Sequence, residues 1–172
     1  MNVAQLRRAA LVITAAALLG CGEPPLGPVP PPPQASLIGS ILQSTGLLGC
    51  TPMPTATATQ TVGSAGGVIR IGPHRLSIPA GALVAPVTIT ATAPSDNVNR
   101  VRLGPEGLVF RRSVALTMSY ANCNLLGQIL PKRVAYTDDA LNIVNYVLSL
   151  DNFFSQNVTG RLNHFSNYAI AW

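Results

Sequence analysis

Chemistry in this 172-residue chain would have to come from few side chains, because it holds only two histidines, three cysteines and six acidic residues. His74 and His164 are the only imidazole bases. They lie far apart in sequence, and neither belongs to a Gly-x-Ser-x-Gly elbow, a His-Glu-x-x-His pair or a phosphate-cradling glycine loop. Asp138 and Asp139 fall in a turn-like stretch, where carboxylates cap backbone amides, so neither metal binding nor acid catalysis is expected of them. Two cysteines and two distant histidines lack the paired spacing of a zinc site. The expectation is therefore a non-catalytic chain with no metal and no cofactor. With 11 Lys and Arg in all and 10% charged residues, clustered cations for displacing counterions are missing, and a nucleic-acid partner is not expected.

The third cysteine has a different chemistry. Residues 1–20, MNVAQLRRAALVITAAALLG, place Arg7 and Arg8 before an apolar run too short to span a bilayer as a helix, the pattern of a secretory signal. Leu18-Leu19-Gly20-Cys21 resembles the lipobox of bacterial lipoproteins. That resemblance implies a diacylglyceryl group on the Cys21 sulfur and cleavage between Gly20 and Cys21, with two or three acyl chains anchoring the product to the membrane. Gly22 stands where an Asp would resemble an inner-membrane retention signal, which points to the outer membrane, facing the periplasm or the surface. The alternative is an ordinary signal peptide. With Arg7 and Arg8 removed, nine basic residues stand against six acidic ones, leaving no strongly basic character to explain.

The domain organisation follows from composition. Residues 21–35 hold the lipidated Cys21 and a linker; EPPLGPVPPPPQ (Glu23 to Gln34) contains seven of the 15 prolines. It is expected to run as polyproline II, reaching about 40 Å as a spacer, with a proline-rich recognition ligand as the sharper alternative. Residues 36–49, SLIGSILQSTGLLG, form an uncharged apolar segment expected to pack on the domain as a short helix or hairpin. Residues 50–172 form the domain. With Cys21 acylated, Cys50 and Cys123 are an even remainder in an oxidising compartment, and a disulfide between them is expected, two buried free thiols being the alternative.

What positions these residues is a set of short strands. Period-two alternation is clearest in Val87–Thr92, with Val, Ile and Ala on one face and Thr on the other, and in Val114–Tyr120. Shorter candidates are Val68–Ile71, Arg75–Ile78, Val101–Leu103, Leu108–Phe110, Val134–Tyr136, Asn145–Leu150, Val158–Leu162 and Tyr168–Trp172. Turn signals separate them at Gly72-Pro73, Pro79-Ala80-Gly81, Ser95-Asp96-Asn97, Gly104-Pro105, Leu130-Pro131 and Asp138-Asp139. About ten strands with no room for helical crossovers predict an all-β antiparallel sandwich or barrel, with Phe110, Tyr120, Tyr146, Phe165 and Trp172 available to fill it.

AGGVIRIGPHRLSIPAGAL (Ala65 to Leu83), VTIT (Val87 to Thr90), PEGLVFRRSVALTMSY (Pro105 to Tyr120) and TGRLNHFSNYAIA (Thr159 to Ala171) together resemble the ZU-five domain, found in tight-junction scaffolds, netrin receptors, ankyrins and bacterial surface lipoproteins. The resemblance covers residues 63–172 and implies a β-sandwich. It also bears on His164, Phe165 and Ser166, because some eukaryotic members of that family cut themselves within a His-Phe-Ser motif. There Ser166 would attack the Phe165 carbonyl in an N-to-O acyl shift with His164 as base. The alternative puts His164 and Ser166 on one side of the last strand, with Phe165 in the core. The combined expectation is a lipid-anchored envelope module that binds a protein partner or serves structurally. Self-processing is the competing reading, and glycan binding a weaker one.

Overall fold

The structure, a computed structural model, describes residues 46–125 and 129–172; the leader, Cys21, the proline-rich linker and residues 36–45 lie outside the described residues. Alternation of buried and exposed side chains runs through nearly every strand, and it builds two antiparallel sheets packed face to face. In chain order the strands are β1 (Ala56–Val62), β2 (Gly67–Ile71), β3 (His74–Ile78), β4 (Val87–Ala93), β5 (Arg100–Gly104), β6 (Val109–Ser119), β7 (Arg133–Thr137), β8 (Ile143–Tyr146), β9 (Ser149–Asn152), β10 (Asn157–His164) and β11 (Asn167–Ala171). One sheet has the order β1-β4-β5-β11-β7-β8, the other β2-β3-β6-β10-β9. No helix forms among the described residues.

The core lies between the sheets. Ile69, Ile71, Leu76, Val114, Leu116, Met118, Val158 and Leu162 point into it from the five-stranded sheet, and Ile89, Ala91, Val101, Val134, Tyr168 and Ile170 from the other. Phe110 meets Phe165 edge to face at 4.8 Å between ring centroids. Gly160 marks a close approach of the layers. A Cβ there would sit 2.7 Å from Cβ of Val134 on the opposing sheet.

Three elements differ from the sequence expectation. β1 is absent from the predicted strands because ATATQTV alternates Ala with Thr and offers little hydrophobic contrast. It forms through its neighbour: Thr57, Thr59 and Thr61 pair hydroxyl to hydroxyl with Thr92, Thr90 and Thr88 of β4, at 3.2, 3.2 and 2.9 Å. Leu108–Phe110 and Val114–Tyr120 belong to one strand, β6, kept continuous across a register shift opposite Leu162 and His164. Asn145–Leu150 is instead two strands, β8 and β9, in different sheets. Val147 turns inward between them, its N–H donating to the Val134 carbonyl at 3.0 Å.

Residues 46–51 run extended along the domain. Leu47 and Leu48 are each 1% exposed, with Leu47 bridged to Ala171 and the Leu48 N–H donating to the Ile170 carbonyl at 2.9 Å. Leu48 thereby joins the inter-sheet core, while Leu47 packs in a second cluster with Val98, Ala135, Ala169 and Ala171.

Candidate functional site

The expected disulfide is present. Cys50 and Cys123 are joined across 73 residues, tying the extended entry segment to the loop after β6. Backbone bonds flank the bridge on both sides: Thr51 N–H to the Asn122 carbonyl at 2.9 Å and Asn124 N–H to the Gly49 carbonyl at 2.9 Å. Asn122 braces it further, its amide donating to the Thr51 carbonyl and its side chain pairing with Asn99.

His164, Phe165 and Ser166 occupy a corner rather than a strand face. β10 ends at His164 and β11 starts at Asn167, so Phe165 and Ser166 carry the chain from one sheet to the other. Phe165 is fully buried and Ser166 nearly so, and the backbone from His164 to Ser166 is held at four points. The Phe165 N–H donates to the Leu108 carbonyl, the Phe165 carbonyl accepts from Gly107 N–H, the Ser166 carbonyl accepts from Leu103 N–H, and the Tyr168 hydroxyl donates to the His164 carbonyl. The His164 ring packs edge-on against Tyr136 at 5.3 Å, and its Nδ1 lies 3.3 Å from the Phe165 carbonyl oxygen. Thus the carbonyl that Ser166 would attack has one backbone donor at 3.0 Å and an imidazole nitrogen beside it. No hydrogen bond joins His164 to the Ser166 hydroxyl among the described residues. With its proton on Nδ1, the His164 ring would donate to that carbonyl.

His74, the other imidazole, has a structural setting. It is buried on the inner face of β3, and Nδ1 accepts the Ser119 N–H at 3.1 Å, which assigns its proton to Nε2. Nε2 has no partner. Burial pushes its pKa down to about 4, so the ring is neutral at physiological pH.

Two features could not be found by motif. Tyr120, Asp151 and Lys132 converge from three parts of the chain. The Tyr120 hydroxyl donates to Asp151 Oδ1 at 2.6 Å, the Lys132 N–H donates to Asp151 Oδ2 at 2.8 Å, and Lys132 Nζ donates to the Leu130 carbonyl at 2.7 Å. Burial lowers the pKa of Lys132, opposed by the Asp151 charge, while burial and Asp151 together raise that of Tyr120. Both carboxylate oxygens of Asp151 are thereby used in holding β9 to the ends of β6 and β7.

The second feature is an open groove of about 510 Å³ on the outer face of the five-stranded sheet. Val68, Leu148 and Leu150 rim it, all at least half exposed, with Ala115, Thr159 and Arg161 on its floor and side. Its signal in the sequence is slight: apolar residues at positions of β2 and β9 that alternation assigns to solvent. No family model and no curated protein sequence matches this chain.

Proposed function

We propose that the protein is an exported envelope module, anchored by acyl chains on Cys21 and acting by binding rather than by catalysis, with the outer face of the five-stranded sheet as its working surface. The observation that carries this reading is the uncovered apolar groove between β2–β3 and β9. Three further features support it: the lipobox ending at Cys21, the proline-rich spacer after it, and the Cys50–Cys123 bridge, which suits an oxidising compartment. The ordered ZU-five-like motifs agree with a scaffold for interaction, and the outer membrane is the location the residue after Cys21 favours. The test is a photoreactive residue placed at Thr159 on the groove floor, or at Thr59 on the opposite sheet, in the chain expressed with its leader in a bacterium. Crosslinks at Thr159 and none at Thr59 are expected; equal yields, or none at either, contradict the reading.

Self-cleavage between Phe165 and Ser166 is the second reading. One observation favours it, the placing of Gly107 N–H and His164 Nδ1 around the Phe165 carbonyl oxygen. Against it stand the backbone bonds that hold both flanking residues, because the acyl shift needs the peptide to distort. His164→Ala and Ser166→Ala variants that match the wild-type mass, with no fragment in any of the three, exclude it.

A further inference from the structure

The register of the five-stranded sheet lines up its outward side chains in two rows. The first runs Val68, Ser77, Ala115, Arg161, and the second runs Arg70, Arg75, Thr117, Thr159, Leu150. Arg70 and Arg75 are cross-strand partners, both exposed. Like charges directly opposite on an antiparallel pair oppose each other. Arg161 stands two strands and one row from Arg75, about 12 Å away at ordinary strand spacing and rise. Among the described residues the one ion pair is Arg100–Asp96, so none of these three guanidinium groups has a carboxylate partner.

No carboxylate lies in either row. Asp151 is turned toward Tyr120 and Lys132, and Asp96, Glu106, Asp138 and Asp139 are in loops outside the strands. Exposed apolar groups adjoin the same rows. Leu148 and Leu150 are 73% and 72% exposed beside Arg161 and Thr159. At the β9–β10 turn, Phe153 and Phe154 are 60% and 99% exposed, where a hairpin turn ordinarily has Gly, Asn or Asp.

We propose that this face docks on an anionic phospholipid leaflet. Arg70, Arg75 and Arg161 pair with headgroup phosphates, and Leu148, Leu150, Phe153 and Phe154 enter the boundary of the acyl chains. Unpaired cations without acids beside them, next to bare aliphatic and aromatic groups, match such a surface in both charge and polarity. The occupant deepens the envelope-module reading and rests on it for the nearness of a bilayer; the anchor then fixes the chain to the membrane while this face sets the orientation of the sandwich.

The test uses the full chain with Cys21→Ser, which cannot be acylated, in flotation with vesicles of phosphatidylcholine alone or mixed with equal phosphatidylglycerol. Binding to the anionic vesicles and release by added salt are expected. The triple variant Arg70→Gln, Arg75→Gln, Arg161→Gln lowers the partition coefficient about a hundredfold, each surface cation contributing roughly fivefold. Phe153→Ser with Phe154→Ser weakens binding while keeping its salt dependence. Arg102→Gln, an exposed arginine of the other sheet, leaves binding unchanged. Unchanged urea midpoints in the variants show that they fold. Failure of the unsubstituted chain to prefer anionic vesicles overturns the proposal, as does equal loss with Arg102→Gln. If vesicles are ignored while Thr159 still crosslinks to a protein in cells, the surface serves a protein partner and the envelope-module reading survives; if both fail, both fall.

Discussion

Replacing His74 with Asn should flatten the acid limb of the stability curve. Asn puts an oxygen near the place of Nδ1, so the Ser119 N–H keeps an acceptor while the titrating group is removed. In the wild-type protein, protonating His74 sets a second donor against that N–H and buries a charge on the inner face of β3. The folded-state pKa is about 4 against 6.5 for the free side chain, so between these values the unfolded chain binds more protons. Stability from this group is fully present above pH 6.5 and is lost as pH falls through 4. A difference near 2.5 units at 1.36 kcal/mol each corresponds to about 3 kcal/mol. Urea denaturation of the oxidised protein at steps from pH 7.5 to 4 measures it. Wild-type stability should fall about 3 kcal/mol further than that of His74→Asn across this range, the other titrating groups being common to both. Parallel curves would refute the reasoning, whatever the offset between them caused by the smaller side chain.

Other consequences are independent of that one. Removing the bridge with Cys50→Ala and Cys123→Ala should cost about 4 kcal/mol in denaturant titration, the chain-entropy value for a loop of this size; a loss below 1 kcal/mol would mean the entry segment holds itself in place. Gly160→Ala should destabilise by about 1–3 kcal/mol, because its Cβ meets Val134 of the opposing sheet, and a neutral result in thermal unfolding would contradict that packing. Asp151→Ala strands the Tyr120 hydroxyl and the Lys132 N–H and should cost roughly 2–4 kcal/mol. In a double-mutant cycle with Tyr120→Phe the two losses should fall short of additive by about 1 kcal/mol or more.

How far the sequence alone reaches depends on contrast and on range. β4 and β6 are legible because Val, Ile and Leu alternate with Thr and Ser, which marks the buried face without knowledge of any partner. β1 is not, since Ala against Thr carries almost no burial signal and the strand is held by hydroxyl pairs with β4, some 30 residues away. The break at Val147 is equally hidden: Asn145 to Leu150 reads as one apolar-rich strand, and only the opposite edges of two sheets reveal the crossing. Cysteine parity sufficed for the bridge between Cys50 and Cys123. The rows of Arg70, Arg75 and Arg161 needed strand register across four strands, and Tyr120, Asp151 and Lys132 needed tertiary packing, neither of which local pattern encodes. At His164-Phe165-Ser166 the motif was visible but its place was not, because the turn from β10 into β11 depends on which sheet each strand joins.

The central claim is an intact, acyl-anchored binding module, and the mass of the protein taken from the membrane fraction of an expressing bacterium tests it most directly. The account predicts one polypeptide beginning at an acylated Cys21 and ending at Trp172, with no free thiol before reduction. An unmodified Cys21, or a chain ending at Phe165, would contradict it.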